Sequence, residues 1–414
     1  MRIKSAILSL AAMLLTLTAM AETGTMSPYS RYGYGLLNDH STSMQRSMGG
    51  IGYAMAGNRQ INVKNPASYA QIDSLTFLFD LGLSLTNLWS EEPGGKARST
   101  GGGLDYITLQ FPIGKYMGGS IGVLPYSSTG YSFGSDIAHG TQSHSGAGGI
   151  NELYAGVSGR PFKGFSIGAN FYYLWGQSVN DIYATSSGAT GTSTLFERVI
   201  DVKDWNFTVG AQYAIDVTRR DNIRLGLTFT PGRKLHGHAW GVYYDTNNDT
   251  KPDTVGYQSL KGNYSIPATW GAGISYTRDN RIFAEVDFTF QKWSKAMYNP
   301  IETFEQTTFA DRKKISAGVQ YSRNPRGNYL QRMQWRLGAS YTNDYITVAG
   351  NKVKDATVSF GIGFPVPGGK SVLNLGFEYR HRNTTPTRLV TENYFNITLG
   401  INFNEMWFWT RKIN

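Results

Sequence analysis

The stretch from Tyr394 to Phe403 constrains this chain most. Phe395, Ile397, Leu399, Ile401 and Phe403 alternate with Asn396, Thr398, Gly400 and Asn402, so an extended strand here has one apolar and one polar face. The same alternation returns in Phe77 to Leu85, Phe165 to Trp175, Trp205 to Ile215, Ile282 to Phe290 and Leu373 to Tyr379, with weaker examples between. A soluble sheet would need helices or a second sheet to cover so many apolar faces, and the chain offers no helix-forming segment for the purpose. A bilayer covers them directly. The pattern therefore predicts an all-β chain: a transmembrane antiparallel β-barrel of about 14 strands, at most 16, with lipid outside and polar groups inside.

Other features place that barrel in a bacterial outer membrane. Arg2 and Lys4 precede an apolar run from Ala6 to Ala19, and Ala19-Met20-Ala21 has the small-x-small form of a cleavage site. Residues 1–21 read as a signal peptide, removed near Ala21. No cysteine occurs, so neither disulfides nor thiol chemistry is expected. Charged residues make up 16%, low for a soluble domain, while Gly reaches 49 and Tyr 26. The formal charge of +10 is scattered along the chain. Such a distribution reads as a plain surface excess, or else as attraction to anionic lipid headgroups, and no nucleic-acid partner is expected.

Residues 22–74 do not alternate. They are rich in Gly, Ser, Met and Asn, too polar to span lipid, and their Tyr and Met content favours a plug inside the barrel over a disordered periplasmic tail. The barrel follows over 75–403, and an aromatic tail with Trp407, Phe408 and Trp409 occupies 404–414. Polar inserts at 131–149, 177–200, 243–263 and 294–311 are expected as external loops, and short Gly-Pro segments as periplasmic turns.

Asn65-Pro66-Ala67 stands just before the first strand, preceded by Met48-Gly49-Gly50-Ile51-Gly52-Tyr53-Ala54 and Asn62. This arrangement resembles the hatch region of the FadL-like outer-membrane transport family, including its Bacteroidetes-type members. The resemblance implies a 14-stranded barrel with an N-terminal hatch, passing hydrophobic, fatty-acid-like small molecules passively. It implies a lateral wall opening at a kinked strand, for which Gly122 and Pro125 are the candidates, since Pro cannot donate to the ladder and Gly often marks a bulge. Similar hatch motifs occur in barrels that serve secretion or barrel-assembly complexes, so a non-transporting subunit bound to other outer-membrane proteins is the alternative. An aromatic docking tail would suit that alternative.

If the apolar faces meet lipid, Asp80, Arg224, Glu285, Asp287, Arg336, Glu378 and Arg380 point into the lumen. Unpaired charge there is costly, so these groups are expected to pair with one another or with the hatch, where Arg31, Arg46 and Arg59 are the available cations. Within the hatch, Asn65 can bond nearby backbone amides while Pro66 holds it extended, turning the chain into the first strand. Asp245 to Asp253 has the alternate Asp and Asn of a calcium loop but lacks its Gly and its Glu, so a solvated loop is expected. His236 and His238 lack a third ligand, and Ser143-His144-Ser145 lacks a partner acid. No metal, cofactor or catalytic site is expected, and the partners are membrane lipid and a hydrophobic ligand.

Overall fold

A closed ladder is the structural answer to a backbone immersed in lipid, because every N–H and C=O must be paired within the protein. The computed structural model describes residues 27–187, 193–245, 253–299, 301, 307–367 and 370–406. The expected signal peptide, its cleavage site and Trp407 to Trp409 of the tail lie outside the described residues. Fourteen strands form the wall: β1 Thr76–Glu92, β2 Gly95–Gly114, β3 Met117–Ile137, β4 Gly140–Phe162, β5 Phe165–Ser186, β6 Thr194–Asp216 and β7 Asp221–Thr230. They continue with β8 Thr269–Arg278, β9 Ile282–Gln291, β10 Arg312–Tyr321, β11 Gln334–Val348, β12 Asn351–Pro365, β13 Val372–Thr385 and β14 Thr391–Met406. Each strand is antiparallel to the next, and β14 closes on β1 with Phe79 opposite Phe403 and Leu83 opposite Leu399.

The alternation resolves as one expects of a membrane wall. Phe171, Trp205, Val209, Ile274, Val286, Phe288, Leu337 and Val358 are exposed on the outside, while Asn170, Gln212, Ser275, Glu285, Asp287 and Arg336 are buried inside. β14 runs past Phe403 to Met406, which pairs with Thr76.

Two expected loops are instead strand. β3 and β4 continue to a tight turn between Ile137 and Gly140, and β5 and β6 run to Ser186 and from Thr194, so most of 131–149 and 177–200 is ladder. These strands have 21 to 23 residues, against roughly 9–11 needed to cross a bilayer. Their upper halves stand in water, where neither face has to be apolar, so the alternation that marks a membrane strand is missing. A further hairpin, Gly237–Asp245 with Asp253–Ser259, runs into the insert expected at 243–263 and pairs with the upper half of β6 outside the membrane wall.

Residues 27–75 lie against the inward faces of the strands. They form a 3-10 turn at Pro28–Arg31, a short helix at Ser43–Arg46 and a second 3-10 turn at Pro66–Gln71. Met48, Ile51, Ala54, Val63, Asn65 and Ala67 are fully buried. Above them Tyr34, Trp293, Tyr298, Phe309 and Tyr345 pack into an aromatic cluster, with Trp293 and Tyr345 rings 4.4 Å apart.

Glycines in the wall let the segment's backbone approach this closely. A Cβ on Gly338 would stand 2.1 Å from the Met48 carbonyl carbon, and one on Gly226 would stand 1.9 Å from the Tyr53 oxygen. Gly338→Val is therefore expected to abolish the heat-modifiable electrophoretic shift of the folded barrel or lower its melting temperature sharply. Ala339→Val, one residue on and facing outward, is expected to leave both unchanged.

Candidate functional site

The turn Asn65-Pro66-Ala67 joins the N-terminal segment to the wall. Asn65 is extended (φ −129°, ψ 105°) before Pro66, and its Oδ1 accepts from the Ala67 N–H at 3.1 Å, capping the 3-10 turn. Its Nδ2 donates to the Tyr53 carbonyl at 2.7 Å and to the Ala211 carbonyl of β6 at 3.3 Å. One side chain thus ties two parts of the segment and a wall strand together. A Cβ on Gly210 would stand 2.1 Å from Asn65 Oδ1, so the wall is hollowed to receive this residue.

The inward charges are satisfied in ways the sequence only partly anticipates. Asp287 accepts from the backbone N–H groups of Gly52 and Tyr53 at 2.7 and 3.2 Å, and Glu285 from that of Ala54 at 2.8 Å. Lys64 Nζ lies 3.7 Å from Asp287 and donates to the Gly50 carbonyl. The Gly-rich run at 49–54 thereby presents consecutive N–H donors to two carboxylates, an arrangement that backbone conformation creates and residue identity does not announce.

Glu378 pairs with Arg380 at 3.0 Å. Arg336 has no carboxylate within ion-pair distance among the described residues. Three side-chain amides hold it instead: Gln320 at 2.8 Å, Asn374 at 2.7 Å, and Gln334. Asp80 accepts from the Tyr106 hydroxyl at 3.0 Å and from Asn402 at 3.3 Å, and Arg224 donates to Gln212 at 3.3 Å. Of the expected hatch cations, Arg46 reaches Asp105 at 2.8 Å, whereas Arg59 is exposed, with no ion pair among the described residues. The wall adds a network that the alternation did not single out. Arg382 meets Asp355 at 2.6 Å and Asp344 at 3.3 Å, Arg312 meets Asp39 at 2.9 Å, and Lys314 also pairs with Asp39.

Gly122 and Pro125 sit where the wall splits. The β2–β3 ladder ends at Ile107 opposite Val123. Just beyond, the β3–β4 register shifts between Pro125 and Ser127, leaving Tyr126 out, and the β1–β2 register skips Asp105. Above this point the β3 edge pairs with the N-terminal segment: Leu36 lies opposite Ser128, Leu37 opposite Ser127, and the Asn38 N–H donates to the Tyr126 carbonyl at 2.9 Å. Next in the chain, His40 adopts a positive φ of 50° and places Nε2 2.8 Å from Glu152 of β4. The strap at 36–40 separates two interior cavities, both bordered by Leu37, Asn38, Asp39 and Arg312. One, of about 100 Å³, adjoins Tyr126, Tyr172, Thr208, Thr228 and Thr230. The other, of about 140 Å³, adjoins Arg46, Asp105, Asp344, Arg380 and Arg382.

The remaining candidates are scattered. His236 binds Asp204 at 3.2 Å while His238 stacks on Tyr257, and His144 lies in β4 stacked on Phe133. The centre of the calcium-like run, 246–252, lies outside the described residues. Among the described residues no group of three or more His, Asp and Glu is placed to hold a metal.

A family model described as BamG matches residues 2–414. The chain belongs to the BamG family. No curated protein matches it in sequence. Among solved structures it is similar to the Pseudomonas putida toluene transporter TodX, with a TM-score of 0.63 at 16% identity over 90% of this chain and 100% of that one. A Pseudomonas aeruginosa FadL homologue gives 0.62 at 14% identity, covering 89% of this chain and 99% of the other. The Ralstonia pickettii toluene transporter TbuX gives 0.57 at 14%, covering 88% and 98%. At such identities the likeness is one of fold: the chain has the FadL-type barrel that its N-terminal motifs resemble.

Two expectations follow. Asp287→Ala leaves Lys64 without its carboxylate neighbour and two buried N–H groups without an acceptor, so it is expected to cost about 3–5 kcal/mol, read as a lowered unfolding midpoint. For His40, burial works against the charged imidazole, but the Glu152 carboxylate outweighs it and raises the pKa above the ordinary value. A raised pKa means that the tether is fully present below the unfolded value, about 6.5, and is lost as pH climbs through the folded one. Labelling of a cysteine introduced at Asn38 should therefore speed up with rising pH, and His40→Gln should remove that dependence.

Proposed function

We propose that the chain is an outer-membrane barrel for passive uptake of hydrophobic, fatty-acid-like small molecules, with residues 27–75 as its plug and the β2–β3 split as its lateral exit. The observation that carries this reading is the split itself. Just past Gly122, at Val123, the β2–β3 ladder ends, and the edge it exposes pairs with only Leu36 and Leu37 of the 36–40 strap. A strap bound by two residues' worth of ladder can be released far more cheaply than a strand of the wall. A hydrophobic cargo entering from the external side would then leave sideways between β2 and β3 into the apolar layer of the membrane. The toluene transporters of similar fold support the substrate class. No catalysis or energy input is involved.

The second reading is a non-transporting barrel subunit of an outer-membrane secretion or assembly complex. The BamG match over residues 2–414 favours it, as does the interior cavity edged by Arg46, Asp105, Asp344, Arg380 and Arg382. Its partners would be other outer-membrane proteins.

One experiment separates the two. Because the chain has no cysteine, Leu36→Cys with Ser128→Cys creates a unique pair at positions facing each other across an antiparallel ladder, a separation of about 4.5–5.5 Å that a disulfide can span. In proteoliposomes, oxidation is expected to stop uptake of labelled fatty acid or toluene, and reduction to restore it. Uptake absent in both states, together with stoichiometric co-purification of other outer-membrane proteins from native membranes, would establish the subunit reading.

A further inference from the structure

Between β10 and β11 the chain makes a longer turn than the short connections β2–β3 and β4–β5 at the same, periplasmic end, running from Ser322 through a short helix at Tyr329–Arg332. Arg323, Arg326 and Arg332 belong to it, with no acidic residue between Ser322 and Met333. The Ser322 N–H donates to the Arg281 carbonyl at 2.8 Å, which brings a fourth arginine alongside from the β8–β9 turn. None of these four has a carboxylate within ion-pair distance among the described residues. Arg332 Nε is moreover buried without a hydrogen-bond partner. Cations on neighbouring strand ends do have partners: Arg278 lies 3.8 Å from Asp221, and Arg220 lies 3.8 Å from Asp279.

The same turn exposes apolar surface. Leu330 is 72% exposed and Tyr329 42%. The strands that carry the turn end in Tyr321 and Trp335, both turned outward, where aromatic side chains mark the level of the membrane interface. The patch therefore stands in or just below the headgroup layer of the inner leaflet. Uncompensated guanidinium groups at that depth attract phosphate, and an exposed Leu beside a Tyr suits the upper acyl region of a lipid.

We propose that the β10–β11 turn, with Arg281, is a binding site for anionic phospholipid of the periplasmic leaflet. The arginines hold the headgroup phosphate, and Leu330 and Tyr329 dip into the acyl boundary. This rests on the barrel crossing a bilayer and is independent of what, if anything, the barrel carries.

The test uses full-length protein delipidated in detergent and titrated with phosphatidylglycerol or phosphatidylethanolamine, bound lipid being counted by native mass spectrometry. Preferential retention of phosphatidylglycerol is expected, weakening with salt. It should fall about tenfold or more in the variant R281Q/R323Q/R326Q/R332Q and persist in R219Q, an exposed cation on another turn. The double variant R323Q/R326Q, confined to exposed side chains, gives the same reading if the quadruple one fails to show the folded electrophoretic shift. Equal retention of the two lipids, or a preference unchanged in the variants, would overturn the proposal. So would a preference lost equally in R219Q. Loss of an acidic co-purifying protein from the arginine variants, with lipid preference intact, would mark the patch as a protein-docking surface instead.

Discussion

The closed hydrogen-bond ladder governs everything else in this molecule. With lipid on one side, the backbone finds its partners only in neighbouring strands, so β14 must return to β1 and the apolar residues must face outward. That leaves the polar half of every strand pointing at a narrow lumen. The lumen then needs something to satisfy it, and residues 27–75 supply backbone and side-chain groups for the purpose.

How the lumen is satisfied differs from simple ion pairing. Asp287 and Glu285 are met by consecutive N–H groups from Gly52 to Ala54 and by Lys64. Arg336 is met by amides. Spreading a buried charge over several dipoles avoids matching each charge with a counter-charge, and it lets a glycine-rich segment, which carries few side chains of its own, act as a ligand for the wall. The glycines of the wall, at Gly210, Gly226 and Gly338, make room for that segment's backbone. The wall and the segment are thus complementary in shape as well as in hydrogen bonding.

In this closed wall the β2–β3 split is a local exception. Asp105 and Tyr126 are left out of their ladders on facing strands, and the resulting edge is covered by a short strap rather than by another stave. Asp39 anchors that strap. Burial alone would raise its carboxyl, but Lys314 and Arg312 hold it well below the usual carboxylate range. The strap is therefore held by a few polar contacts at a place where the rest of the wall is held by many.

The sequence by itself determined the class of fold and the facing of each membrane strand. Lipid demands apolar side chains at every second position, and residues such as Phe171, Val286 and Leu399 record that demand directly. It also pointed to a turn at Asn65-Pro66, because Pro restricts the backbone locally, while Gly122 and Pro125 were candidates for a break only through the family resemblance. It did not disclose the strands beyond the membrane, such as those meeting at Ile137 and Gly140, since water imposes no alternation there. Nor did it disclose that Gly52 to Ala54 would bind Asp287 and Glu285, or that Asp39 would find Lys314 and Arg312. Those partnerships join residues more than 230 positions apart in the chain, and only closure of the barrel around the segment brings them within hydrogen-bonding reach.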